Sequence, residues 1–67
     1  MFSERLKELR KQKGLSQKEI AQKIDVNIRT FQEYEYNKVT PSIDILKKIC
    51  IVLQCSSDYL LGLSDKA

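Results

Sequence analysis

Apolar residues recur along this chain at helical intervals, and each run is introduced by a residue suited to cap a helix. Phe2, Leu6 and Leu9 stand at i, i+4 and i+7, one stripe of a helix whose other positions are mostly charged. The pattern predicts a first helix from Ser3 to about Lys13, with Ser3 as N-cap and Gly14 as its left-handed stop. Ser16-x-x-Glu19 then has the form of a capping box, flanked by Leu15 and Ile20 at the spacing of a hydrophobic staple. The second helix is expected to run through Ala21 and Ile24 and to stop near Asp25. Asn27 caps a third, with Val26 and Phe31 as its staple, reaching Glu35 or Tyr36 before a stop at Asn37. Pro41-Ser42 opens a fourth, in which Ile43, Ile45, Leu46, Ile49, Cys50, Val52 and Leu53 cover most of the circumference. Such a helix is expected to be the central buried one. Ser56 caps a last short helix with Cys55 and Leu60 as staple, ended by Gly62, and residues 64–67 are expected to be a frayed tail. No strand alternation, repeat or linker interrupts this order. The expectation is one all-α domain over residues 1–67, with its core between about 3 and 62.

The connection between the second and third helices is short, because only Asp25 and Val26 precede the cap at Asn27. Two helices joined so tightly cross steeply, which turns Ile20, Ile24, Val26, Phe31 and Tyr34 inward and requires a small residue such as Ala21 between them. This is the arrangement of a helix-turn-helix, whose second helix can enter a DNA major groove.

Composition then removes most other chemistry. The chain has no His, only two Cys and only two Gly. It therefore lacks the commonest general base, a four-ligand thiolate zinc site and a glycine-rich phosphate cradle. No enzyme activity, metal or cofactor is expected. Cys50 and Cys55 lack a C-x-x-C spacing and read as small core residues. The longest apolar run, Ile49 to Leu53, is far short of the ~20 residues of a membrane span. Charges occupy the amino-terminal positions where a secretory signal is apolar, so a cytoplasmic location is expected. The net charge is +3, all of it in residues 1–13, where five basic residues face two acidic ones. That bias permits a nucleic-acid partner without requiring one.

From about residue 3 to 62 the chain resembles the Cro- and phage-repressor-type (XRE) helix-turn-helix family. The resemblance is carried by Leu15-Ser16-Gln17-x-Glu19-Ile20-Ala21, Tyr34-Glu35, Pro41-Ser42 and Asp58-Tyr59-Leu60-Leu61-Gly62. It implies a compact five-helix domain of the lambda-repressor-like type and a transcriptional regulator, commonly a homodimer on a palindromic double-stranded DNA operator. Repression is the family's more common habit, and activation stays open beside it. The resemblance implies a phosphate contact for Gln17, which a helix N-terminus independently suits; the plainer reading is a polar residue at a helix start. It also implies an ion pair between Arg10 and Glu35 that links the first helix to the end of the third. Asp25, Asn37 and Gln54 stand where the family commonly has Gly.

Along the third helix, Ile28, Arg29, Gln32, Glu33 and Tyr36 lie away from the inward stripe and are the base-reading candidates. Arg29 suits guanine, Gln32 adenine, Ile28 a thymine methyl and Glu33 the cytosine amino group. The same residues also describe an ordinary solvated face. This helix carries Arg29 against Glu33 and Glu35, a net charge of −1, so phosphate affinity must come from elsewhere. Asn37, Lys38, Thr40 and Ser42, beside the start of the fourth helix, are the phosphate candidates. An apolar surplus at Ile51, Val52, Tyr59, Leu60, Leu61 and Leu63 points to a homodimer interface or, alternatively, to completion of the monomer core. The competing function is a helical protein-interaction module, an adaptor or antitoxin-like subunit. A membrane-surface role for the basic first segment is disfavoured, because the core needs its short apolar face.

Overall fold

Five helices follow one another in the computed structural model, which describes residues 2–65. They are α1 (Phe2–Gln12), α2 (Gln17–Lys23), α3 (Ile28–Glu35), α4 (Ile43–Leu53) and α5 (Ser57–Leu60). Four of them begin on the same device. Ser16, Asn27, Ser42 and Ser56 each accept a hydrogen bond from the backbone N–H three residues on, at 3.0, 2.8, 3.3 and 3.1 Å. At Ser16 the box is complete, since Glu19 Oε1 accepts from the Ser16 backbone N–H at 2.9 Å. That bond, followed by the Ser16 hydroxyl, holds the Glu19 carboxyl below its ordinary range.

The helix ends are equally uniform. A residue with positive φ follows each one: Gly14, Asp25, Asn37, Gln54 and Gly62. The next N–H then reaches back to a carbonyl five residues earlier, as Leu15 does to Arg10, Val26 to Ala21, Lys38 to Glu33, Cys55 to Cys50 and Leu63 to Asp58. This satisfies carbonyls that the helix itself leaves unpaired. Leu15, Val26 and Cys55 thus close one helix and, packed against the core, precede the cap of the next.

Leu6, Leu9, Ile20, Ala21, Ile24, Phe31, Tyr34, Ile49, Leu53 and Leu60 form the core. Phe31 meets Tyr34 edge to face, with ring centroids 6.4 Å apart. Among the described residues no helix is long and apolar enough to cross a membrane.

Four sequence expectations need correction. Ser3 is not an N-cap: α1 already includes Phe2, which packs on the core, so Ser3 lies within the first turn and is buried. Nor is α4 the central helix. It sends only Ile49 and Leu53 fully inward, while Ile43 and Ile51 are 72% and 75% exposed, because among the described residues no other helix covers the opposite side. Leu60, expected at an interface, is fully buried in the monomer, where α5 lies against α1 and α4. Finally, Ser64 is not frayed. Arg5 Nη1 donates to the Tyr59 carbonyl at 2.6 Å and to the Ser64 carbonyl at 2.7 Å, while the guanidinium lies 4.2 Å from the Tyr59 ring centroid. Asp65 adds an exposed contact to Arg5 at 3.5 Å, and residues 66 and 67 of the expected tail lie outside the described residues.

The two cysteines are reduced and half-buried at the α4–α5 junction. Burial, reinforced by the neighbouring Cys50, pushes the Cys55 thiol up to about 11, and Lys13 opposes this only weakly. Burial also raises Cys50. Both are poor nucleophiles in the folded protein.

Candidate nucleic-acid interface

The two amphipathic faces of α3 separate cleanly. Phe31 and Tyr34 are buried, whereas Ile28, Arg29 and Tyr36 are exposed and Gln32 and Glu33 are half-buried. Burial, with a smaller effect of the Glu33 charge, raises the Tyr34 hydroxyl and keeps it neutral. The segment after α3 is also open: Asn37, Lys38, Val39, Thr40 and Ser42 are exposed, with Pro41 buried between them as an anchor. The Ser42 oxygen already caps α4, which leaves its O–H as a donor toward solvent. Val39, 46% exposed beside Lys38, is an apolar member of this surface that periodicity did not single out.

Beneath the surface lies a polar cluster. Arg10 Nε donates to Glu35 Oε2 at 2.6 Å and its Nη2 to Oε1 at 3.3 Å, while Nη1 donates to the Leu15 carbonyl at 2.8 Å. The Glu35 side chain is wholly buried and that of Arg10 is 10% exposed. Gln17 Nε2 donates to Glu35 Oε1 at 2.8 Å, and Gln32 Nε2 donates to Gln17 Oε1 at 3.1 Å. Four side chains from α1, α2 and α3 are thereby joined. Glu35, one of the two acids of α3, is neutralised inside, so the outer face presents Arg29 against Glu33 alone. Gln17 is half-buried at the start of α2 and faces this cluster as well as solvent. Its link to Gln32 spans fifteen residues, and no local spacing announces it.

The interface candidates scatter. Ile51, Leu61 and Leu63 are exposed, Val52 is half-buried against the core, and Tyr59 is occupied by Arg5. Ile43 and Leu46, which the sequence reading placed in the buried helix, instead line an apolar groove of about 390 Å³ with Lys47, Cys50, Ile51 and Ser57. The described residues hold no group of three or more His, Cys, Asp or Glu placed to bind a metal ion.

Residues 6–60 match the sequence model of a helix-turn-helix family. The chain belongs to this family, the phage-repressor-type helix-turn-helix proteins. Its members here are regulators of transcription rather than enzymes. The chain is 38% identical over 61 residues to the SPbeta prophage-derived uncharacterized HTH-type transcriptional regulator YonR of Bacillus subtilis, covering 91% of this chain and 56% of that protein. It is 39% identical over 61 residues to the HTH-type transcriptional regulator ImmR of the same organism, covering 91% and 48%. The chain thus spans about half the length of these curated relatives. Among solved structures, the P22 c2 repressor in complex with a synthetic operator superposes with a TM-score of 0.90 at 26% identity, covering 96% of this chain and 97% of that one. SinR, a master regulator for biofilm formation, solved in complex with DNA, gives 0.84 at 39% identity over 91% and 98%. The fold is therefore the repressor-like five-helix DNA-binding domain.

Proposed function

We propose that this chain is a sequence-specific double-stranded DNA-binding regulator of transcription, acting as a repressor, with α3 in the major groove. The observation that carries the reading is the composite surface around α3. Ile28, Arg29, Gln32, Glu33 and Tyr36 offer apolar, donor and acceptor groups for base edges, and candidate phosphate donors flank them on both sides. Gln17 sits at the N-terminus of α2, and Asn37, Lys38, Thr40 and Ser42 lie before α4. The P22 c2 repressor and SinR, similar over nearly the whole chain, were each solved with DNA.

A second copy of this chain is the expected occupant of the apolar side of α4. Ile43, Ile51, Leu61 and Leu63 are too exposed to serve the monomer, and a two-fold pair would present two α3 helices about 34–36 Å apart to a palindromic operator. Selection from a random duplex library tests both parts. An enriched palindrome, affinity that falls steeply with salt, and Arg29→Ala relaxing particular base positions are expected. Sedimentation showing only monomer at tens of micromolar, free and DNA-bound, refutes the dimer. Affinity flat in salt, or absent for every duplex, transfers the assignment to a helical protein-interaction module.

A further inference from the structure

The polar cluster behind α3 has a direction, and it is imposed by charge. Glu35 is a buried carboxylate and can only accept hydrogen bonds. Gln17 must therefore turn its Nε2 toward Glu35, where it stands 2.8 Å from Oε1. That leaves Gln17 Oε1 as the atom facing Gln32, and an amide oxygen also only accepts. Gln32 must in turn present its Nε2, 3.1 Å away. Neither amide can flip without placing an oxygen against an oxygen, and the terminal amide of Gln32 is fixed although its side chain is half-buried on the α3 surface.

We propose that Glu35, acting through Gln17, sets the base preference of Gln32: the relay makes Gln32 accept adenine and reject guanine. The inference rests on the DNA-binding reading above. With one Nε2 hydrogen committed to Gln17, Gln32 keeps one donor and its oxygen for the groove. Adenine offers a matching pair there, the N6 amino donor and the N7 acceptor. Guanine offers two acceptors, O6 and N7, so the Gln32 oxygen meets an acceptor and is repelled. An unanchored Gln32 could rotate and offer both amide hydrogens to guanine. Gln17 and Glu35 are thus positioning residues: they choose a base that neither needs to touch.

The test compares wild type, Gln17→Met and Gln32→Met, each in selection from random duplexes and in NMR of the side-chain amide groups. Gln32→Met identifies the position that Gln32 reads. At that position wild type is expected to favour adenine over guanine about tenfold, and Gln17→Met to reduce the ratio to about twofold. Loss of a phosphate contact by Gln17→Met weakens all duplexes alike and cancels from the ratio. In the free protein, the Gln32 NH2 group is expected to be rigid in wild type and mobile in Gln17→Met, whereas Gln17→Met leaves the Arg10–Glu35 pair in place. A motif whose adenine-to-guanine ratio survives Gln17→Met overturns the relay and leaves the DNA reading standing. So does a Gln32-dependent preference for guanine in wild type. Failure of wild type to enrich any duplex overturns the DNA reading, and this proposal with it.

Discussion

Replacing Glu35 alone, and then Glu35 together with Arg10, separates two opposite contributions of the buried ion pair. Glu35 accepts from Arg10 Nε, Arg10 Nη2 and Gln17 Nε2, and its side chain has no exposure to water. In Glu35→Met those donors lose their acceptor, and the Arg10 guanidinium, 10% exposed, keeps only the Leu15 carbonyl. Breaking a buried pair in this way costs about 3–5 kcal/mol. A chain of this length has a total stability of about 3–10 kcal/mol, so the single variant is expected to lose roughly a third of it or more, and all of it at the lower end of that range. Arg10→Met/Glu35→Met removes both charges and fills similar volume, so it is expected to lie within about 1 kcal/mol of wild type or above it. Urea unfolding followed by far-ultraviolet circular dichroism measures both, since the chain has no Trp to report by fluorescence. Two results refute the reasoning: a single variant that loses less than about 1 kcal/mol, which means that water screens the pair, or a double variant as unstable as the single one.

Gln54 holds φ at +53° without being Gly, Asn or Asp, so Gln54→Gly is expected to raise stability by about 0.5–1 kcal/mol while Gln54→Ala gains nothing; equal melting points for the two variants would contradict the strain assignment. Ser16→Ala is expected to cost about 1 kcal/mol, seen as a melting point lower by about 4–8 °C. Glu19 has its carboxyl lowered from 4.5 in the folded state, so its stabilisation is present above that value and is lost as pH falls through the lower folded one. The stability gap between wild type and Glu19→Gln should therefore close on acidification, and a gap that widens would reverse the argument. With its thiol pushed up to about 11, Cys55 should react with iodoacetamide at pH 8 on the order of a hundredfold more slowly in the folded protein than in urea; mass spectrometry of the quenched samples reads this directly.

The helices were legible because their boundaries are local. Ser16, Asn27, Ser42 and Ser56 each reach a backbone group three residues away, so a short window of sequence contains the whole interaction. The same holds for the left-handed stops at Asp25 and Asn37. The burial of α4 is not legible in the same way, because apolar periodicity states what a helix is able to bury, not whether another layer exists to bury it. Ile43 and Ile51 are chemically indistinguishable from Ile49 in the sequence and differ only in which side of α4 the rest of the chain occupies. Leu60 is the opposite case: its burial depends on the docking of α5 against α1 and α4, which no local spacing states. At the candidate interface, the outward positions of α3 followed from its period. The attachment of Gln32 to Gln17 did not, because it joins two helices across their packed surfaces.

The clasp made by Arg5 bears on the order of events when the protein assembles. Caps and stops close rings of a few residues, whereas the bonds from Arg5 to Tyr59 and Ser64 span 54 and 59 positions, nearly the entire chain. Contacts so distant in sequence form only after the intervening helices have docked, since their loop-closure entropy is otherwise uncompensated. Arg5 therefore belongs to the far side of the folding barrier. Its truncation should leave the rate of collapse nearly untouched and speed opening, so that in a chevron plot the unfolding arm moves and the folding arm does not. One guanidinium near the start of the chain thus governs how long the folded domain lasts, rather than how quickly it is reached.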